Sequence, residues 1–290
     1  KDSLVGAILI GKVKNIKKEL GAAFVDFGQP LNGFLQLKEN KHALVSRKGI
    51  IPLSQLKIDD ELVIQVEKDS IGEKGAVLNS EISLSGIHLV VHSEASHCGI
   101  SQKIQSEHQK KKLFKWARTH VAENQGFIIR TGAIEASEED FVKEATTLSQ
   151  ELSKLMDRSP YLSFKSVLYR PHPVLKALTD YRLHEMEEII LDDPVLYEML
   201  LQDDRYKGCV FRLYKDAYGL DKVYNLDGQI EKALQRQLWL KSGANLVFDQ
   251  TEAAMVIDVN SKKSLTKGSH EDVSLKINLE AAKAIGRQII

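Results

Sequence analysis

Residues 1–85 constrain the fold most, because their apolar residues fall in runs too short for helices and are separated by glycine turns. Leu4 to Ile16 alternates into a strand that continues past Gly11. Gly21–Asp26 and Gly33–Gln36 supply two more strands around a Gln29-Pro30 turn. Glu61–Lys68 alternates again, and after Gly72-Glu73-Lys74-Gly75 a last pair lies near Ala76–Leu84. Five short strands with glycine turns predict a small barrel. Lys38–Lys48 between them is basic and irregular, either a solvated loop or a segment that helps hold phosphates.

The 290 residues, 43% hydrophobic, are enough for two or three compact domains. The 40 basic and 40 acidic residues cancel, so no global field recruits nucleic acid, and any nucleic-acid binding has to come from local patches and stacking. Cys98 and Cys209 lie far apart with no Cys-x-x-Cys partner, which argues against a disulfide framework or a zinc knuckle and fits a reducing cytoplasm. No run approaches the length of a membrane span, and Lys1-Asp2-Ser3-Leu4 lacks the apolar core of a signal peptide. A soluble, cytoplasmic protein with no membrane span is expected.

From Gly86 the pattern changes to mixed strand and helix, with strands at Ile87–Val91 and Gly126–Arg130. Ser101–Thr119 reads as a basic amphipathic helix carrying Lys103, Lys110, Lys111, Lys112, Lys115 and Arg118, either an RNA contact or a solvated face. Ser137 and Asp140 form a capping box for a helix whose Phe141, Ala145, Leu148, Leu152 and Leu155 pack inward. Prolines near 160 and 171–173 mark joints. Helices are expected at Val174–Ile190, Pro194–Leu201 and Leu226–Leu238, and a strand near Cys209–Tyr214. The third helix presents Leu226, Ile230, Ala233, Leu234 and Leu238 on one face. Asp192, Asp193, Asp203 and Asp204 read as caps and solvated turns rather than a metal cluster.

Two apolar runs near the end, Ala244–Asp249 and Ala253–Asn260, read as short core strands. An Asp buried in Met-Val-Ile-Asp-Val-Asn needs a metal or a basic partner to compensate its charge. Asp258 is thus a candidate metal ligand, or it caps the following Ser-Lys-Lys turn through backbone hydrogen bonds. Asn260, one strand period on, points to the same face and can donate to it. Lys262, Lys263 and Lys267 beyond are able to neutralise a phosphate. A helix from Glu271-Asp272 is expected to bury Leu275, Leu279, Ala282 and Ile289.

The run TEAAMVIDVNSKKS followed by NLEAAKAIGRQI resembles the catalytic segment of the ribonuclease E/G family of endoribonucleases. The order GKV, AAFVDFG, GFL, ELVIQVEKD, KGA resembles an S1-type RNA-binding barrel of the OB class. Together these resemblances imply a multidomain α+β protein. Its parts are an OB-fold (S1 type) β-barrel at 1–85, a mixed α/β 5′-sensor at 86–177, a ribonuclease-H-like subdomain at 178–238 and a partial DNase-I-like subdomain at 239–290. They imply a Mg²⁺-dependent cut in single-stranded RNA by a metal-activated water, with Asp258 binding Mg²⁺ and Asn260 orienting it. Phe24, Phe34 and Lys74 match the RNA contacts of the barrel, although Phe24 also suits a core position. Gly86, Val90, Arg130 and Thr131 match the pocket for a 5′-monophosphate; Arg130 alternatively pairs with the acidic residues at 135–140. Gln102 and Lys103 after Gly99-Ile100-Ser101 depart from the family's Arg, which weakens the expected phosphate selectivity. The resemblance places a second metal-binding Asp and a zinc-binding Cys pair beyond Ile290, and it implies homo-oligomers. A noncatalytic RNA-binding protein of the same architecture is the competing reading.

Overall fold

The computed structural model describes residues 3–38, 42–46, 48–180, 186–206, 208–252, 254–261 and 270–289. The chain forms two compact units, Lys1–Ile189 with Glu198–Phe211, and Ile190–Tyr197 with Arg212–Ile290.

The first unit begins with strands β1 (Ile8–Lys17), β2 (Ala22–Asp26), β3 (Gly33–Gln36), β4 (His42–Val45), β5 (Gly49–Pro52), β6 (Glu61–Lys68) and β7 (Val77–Asn79). The order β1-β2-β3-β7-β6 is closed by pairing of β6 with β1, giving the expected five-stranded barrel, consistent with an OB-like fold. Val13, Val25, Leu35, Leu62, Ile64 and Leu78 fill its interior. Gly33 is dictated by close approach, since a Cβ there would run into the Leu78 side chain. The segment expected to be irregular at Lys38–Lys48 instead contributes β4, which pairs with β5 and touches β6 at Val45–Leu62. Its short alternation, with Ala43 and Val45 buried, was masked in the sequence by flanking charge.

Next come β8 (Ser83–Ser85), β9 (Leu89–His92), β10 (Cys98–Ile100), α1 (Glu107–His120), β11 (Gly126–Ile129), α2 (Glu138–Arg158) and β12 (Val167–Tyr169). A sheet of order β10-β11-β9-β8 packs against α1 and α2. Helix α1 starts at Glu107 rather than Ser101, because Ser106 caps it, accepting from the Gln109 N–H at 3.4 Å. The box at α2 forms as expected: the Ser137 hydroxyl accepts the Asp140 N–H at 3.1 Å and donates to its carboxylate at 2.6 Å. Phe141, Ala145, Leu148, Leu152 and Leu155 are all buried.

The core under α1 and α2 also contains Ile8, Ile10 and Val63 from the barrel strands. Strand β1 is therefore buried on both sides, Leu9 and Val13 facing the barrel interior and Ile8 and Ile10 facing the helical layer. β12 adds to β1 through Ile8–Tyr169 and Leu9–Val167.

Helix α3 (Pro173–Asp180) is shorter than the expected Val174–Ile190. Ile189 opens a strand, β13 (Ile189–Leu191), where consecutive β-branched residues favour an extended chain. The chain crosses between the units within β13, α4 (Pro194–Gln202) and β14 (Phe211–Leu213).

The second unit holds α5 (Leu220–Val223), α6 (Leu226–Ala233), β15 (Gln237–Trp239), β16 (Asn245–Gln250), β17 (Met255–Asn260) and α7 (His270–Ile289). The helix expected to run to Leu238 stops at Ala233; Leu238 lies in β15, and Leu226, Ile230 and Leu234 are exposed. The alternation Gln-Leu-Trp-Leu at 237–240 overrides helical periodicity there. The antiparallel sheet β15-β16-β17 lays Leu238, Leu246, Phe248 and Ile257 on α7, which answers with Val273, Ile277 and Ala281. Leu275, Leu279 and Ala282, expected inside, point outward; α7 carries two apolar stripes, and the one with small Ala281 gives the closer approach. The side chain of Ile289 lies outside the described residues. Strand β17 is also less buried than its composition implies: Met255, Val256 and Val259 are exposed, since β17 lies at the end of the sheet. No helix among the described residues is long and apolar enough to cross a membrane.

Phe141 is fully buried, with Trp116 at 5.7 Å and the His88 ring stacked at 6.4 Å between centroids. Phe141→Ala should cost about 3–5 kcal/mol, read as a lower urea midpoint by circular dichroism.

Candidate functional site

Three groups of residues expected to act on RNA can be placed. On the barrel, Phe24 and Phe34 are direct cross-strand partners of β2 and β3, with ring centroids 6.0 Å apart at 77°. Their neighbours Ala23, Val25 and Leu35 point inward, so period-two alternation puts both rings on the outer wall, half-buried against each other. Phe24 is not a core residue. Lys17, which sequence reasoning missed, holds its ammonium 5.9 Å from the Phe24 ring. Lys74 is exposed in a turn closed by reciprocal backbone bonds with Ile71, just ahead of β7, the neighbour of β3. This wall offers aromatic faces and cations side by side.

The second group lies around a cleft of about 920 Å³ whose lining includes His88, Arg130, Thr131, Gly132, Lys143 and Arg205. Arg130 directly follows β11 and donates through Nη1 to the Gly86 carbonyl at 2.7 Å, while its own N–H reaches the His88 carbonyl at 2.8 Å. Arg130, Thr131 and Gly86 are thus brought together. Val90 sits in β9 opposite Ile128 and is not among the lining residues.

Buried Glu144 of α2 organises this corner. Its carboxylate accepts the His88 N–H at 3.2 Å and lies 3.6 Å from His88 Nε2. The His88 Nδ1 in turn meets the Gly132 carbonyl at 3.1 Å. Only glycine fits at position 86, because a Cβ would collide with that carboxylate. Burial pushes the Glu144 pKa above its ordinary value, against the opposing pull of His88, two backbone N–H groups and Arg205. Arg205 is held charged chiefly by its ion pair with Asp203, at 2.6 Å. Among the described residues that line the cleft are three Arg or Lys and five Asp or Glu, and of these Arg130 is an aimed donor at its wall.

The third group is on the second unit's sheet. Asp258 and Asn260 alternate with Ile257 and Val259 and so face away from α7, on the open side. Asn260 Nδ2 donates to Asp258 Oδ2 at 2.7 Å, the expected partnership. Asp258 is exposed, so the burial cost that made it suspect is absent, and its availability is the relevant property. Lys262, Lys263 and Lys267 lie outside the described residues. Among the described residues no three His, Cys, Asp or Glu side chains converge as a ready-made cation cage.

Residues 83–290 match the Ribonuclease E/G family. Ribonuclease G of Salmonella typhimurium (strain SL1344) is 31% identical over 299 residues, covering 99% of this chain. The chain belongs to the Ribonuclease E/G family. Ribonuclease G of Escherichia coli (strain K12) matches with the same identity and coverage. Ribonuclease E of that strain is 31% identical over 304 residues, covering 96% of this chain and 27% of its own length. The chain spans 61% of the length of the two ribonucleases G.

Within this family member, Glu144 was visible in the sequence only as one of several helix acids; its role depends on a tertiary approach to Gly86 and His88. Its raised folded pKa means that its contribution to stability is full below the ordinary glutamate range and is lost as pH rises through the raised value. Glu144→Gln should flatten that decline, seen as a Tm less dependent on pH from the acid side toward neutrality.

Proposed function

We propose that this chain is the catalytic part of a Mg²⁺-dependent endoribonuclease that cuts single-stranded RNA, favours 5′-monophosphorylated ends and serves RNA processing and decay, including rRNA processing. The observation that carries the reading is the Asn260-to-Asp258 hydrogen bond on an accessible sheet face, in a chain of the Ribonuclease E/G family. In finer terms, the barrel is of S1 type, the helical layer beside it is the 5′-sensor, and the rest comprises ribonuclease-H-like and partial DNase-I-like subdomains. The full-length protein works in the cytoplasm and assembles into homo-oligomers, whereas this part of it is able to stand as a monomer.

The donor set fits the metal. Mg²⁺ favours hard oxygens and is commonly held by one or two carboxylates together with waters and substrate phosphates. Asp258 supplies such a carboxylate, with Oδ2 fixed by Asn260 and Oδ1 left for the ion. When bound, Mg²⁺ polarises a phosphodiester and lowers the pKa of a water. Asn260 keeps the carboxylate in one rotamer, so the site is ordered before RNA arrives.

The other groups hold the RNA. Phe24 and Phe34 take bases on the barrel wall, with Lys17 and Lys74 toward the phosphates. Arg130 presents a planar fork at the cleft, with the Thr131 hydroxyl beside it, for a terminal phosphate.

A cleavage assay on single-stranded RNA with a 5′-monophosphate or a 5′-hydroxyl tests these roles separately. Asp258→Asn should abolish Mg²⁺-dependent cleavage while RNA affinity stays near wild type, and Asn260→Ala should lower activity about 10–100-fold. Arg130→Ala should erase the difference between the two RNA ends. Phe34→Ala should weaken binding by about 1–3 kcal/mol in a fluorescence titration. Normal cleavage by Asp258→Asn would refute the metal assignment; cleavage by the full-length protein alone would show that this chain lacks a ligand, and binding without cleavage by either would favour a noncatalytic RNA-binding protein.

A further inference from the structure

The open face of the second unit's sheet carries a residue that the proposed chemistry has not used. In β15, Leu238 turns toward α7, so Trp239 turns the other way, onto the side of Asp258 and Asn260. Pairing aligns them: Trp239 is opposite Asn245, which is opposite Asn260, and the next row on that face runs Gln237, Val247, Asp258. Two strand spacings, about 10 Å, separate the Trp239 and Asn260 backbones. Trp239 is 54% exposed, whereas the chain's other tryptophan, Trp116, is 8% exposed.

The composition of this face decides what suits it. A packed protein element would want a continuous apolar surface, but the row beside Trp239 is made of the amides Asn245 and Asn260, and in the next Val247 stands between the polar Gln237 and Asp258. An exposed indole flanked by amide donors and acceptors matches a nucleobase, which stacks through its plane and hydrogen-bonds through its edge. At the far end of the face Arg236 is already committed to Asp249, with contacts of 2.6 and 2.9 Å, so it neutralises that carboxylate instead of leaving it to repel a nucleic acid.

We propose that Trp239 stacks a nucleobase of single-stranded RNA adjacent to the phosphate presented to Asp258, and so positions the strand for cleavage. This rests on the assignment of Asp258 above. Trp239 is a positioning residue whose contact is with the base, not with the reacting phosphate. It fixes where along the strand the cut falls, and it does so with little regard to base identity, since every base has a stacking face.

The test uses the intact protein and RNAs in which one nucleotide at a time near the cut is abasic. In the wild type one such position should lower kcat/KM about ten-fold, and Trp239→Ala should cause a similar loss on intact RNA. On the RNA abasic at that position Trp239→Ala should add no further loss, and Trp239→Phe should recover most of the activity on intact RNA. Losses that simply multiply, or wild-type activity in Trp239→Ala, would overturn the proposal. Binding read without cleavage separates the two assignments: in Asp258→Asn protein, RNA should quench the tryptophan emission that Trp239→Phe removes. Quenching together with normal cleavage by Asp258→Asn would remove the Asp258 assignment and leave the base contact standing, whereas no quenching would overturn the contact itself.

Discussion

The first unit depends on a strand that has no solvent side over its first half. Ile8 and Ile10 belong to the core beneath α1 and α2, while Leu9 and Val13 belong to the barrel interior. A strand buried on both faces is a continuous apolar run instead of an alternating one, and Ala7-Ile8-Leu9-Ile10 has that form. The barrel wall with Phe24 and Phe34 and the corner with Arg130 and Glu144 therefore stand on one packed body. Rigid support of this kind holds a side chain such as Arg130, bonded to the Gly86 carbonyl, in a fixed aim.

What could be read from the sequence follows from whether the signal was local. The barrel strands through Val77–Asn79, the Ser137 cap and the inward face of α2 are set by alternation, turn residues and helical period, and each appears where those rules put it, whereas Ser83–Ser85, expected to end the barrel, pairs with β9 in the next sheet. The outward placement of Phe24 is likewise local, a matter of parity with Ala23 and Val25. The β4 and β5 hairpin was hidden because charge around a four-residue strand looks like a loop until the strand has a partner. In α7 the sequence offers two apolar stripes, and only packing against the sheet selects Ile277 and Ala281 over Leu275 and Leu279.

The candidate site was legible in the same uneven way. Asp258 and Asn260 two residues apart on a strand already imply a shared face, and the hydrogen bond between them needs nothing more distant. Asp258 carries no cost of a buried charge, because it is exposed on a strand at the end of the sheet. Trp239 and Glu144 were illegible for a different reason: each matters through residues far away in sequence or across strands. Glu144 is 58 residues from Gly86, and no short-range pattern relates them.

The turn between β15 and β16 has a consequence for how this face can diversify. Gly243, at φ +85°, lets the chain reverse so that Leu240 exchanges hydrogen bonds with Gly243 and Ala244, and this reversal puts Trp239 in line with Asn245 and Asn260. A substitution at position 239 changes what the face offers to a ligand. A single inserted or deleted residue in the turn would instead rotate Trp239 to the helix side and bring Leu238 or Leu240 out beside the amides. Among descendants of this chain, point changes at 239 are therefore the route open to altered recognition, and length changes at 241–243 are closed to it.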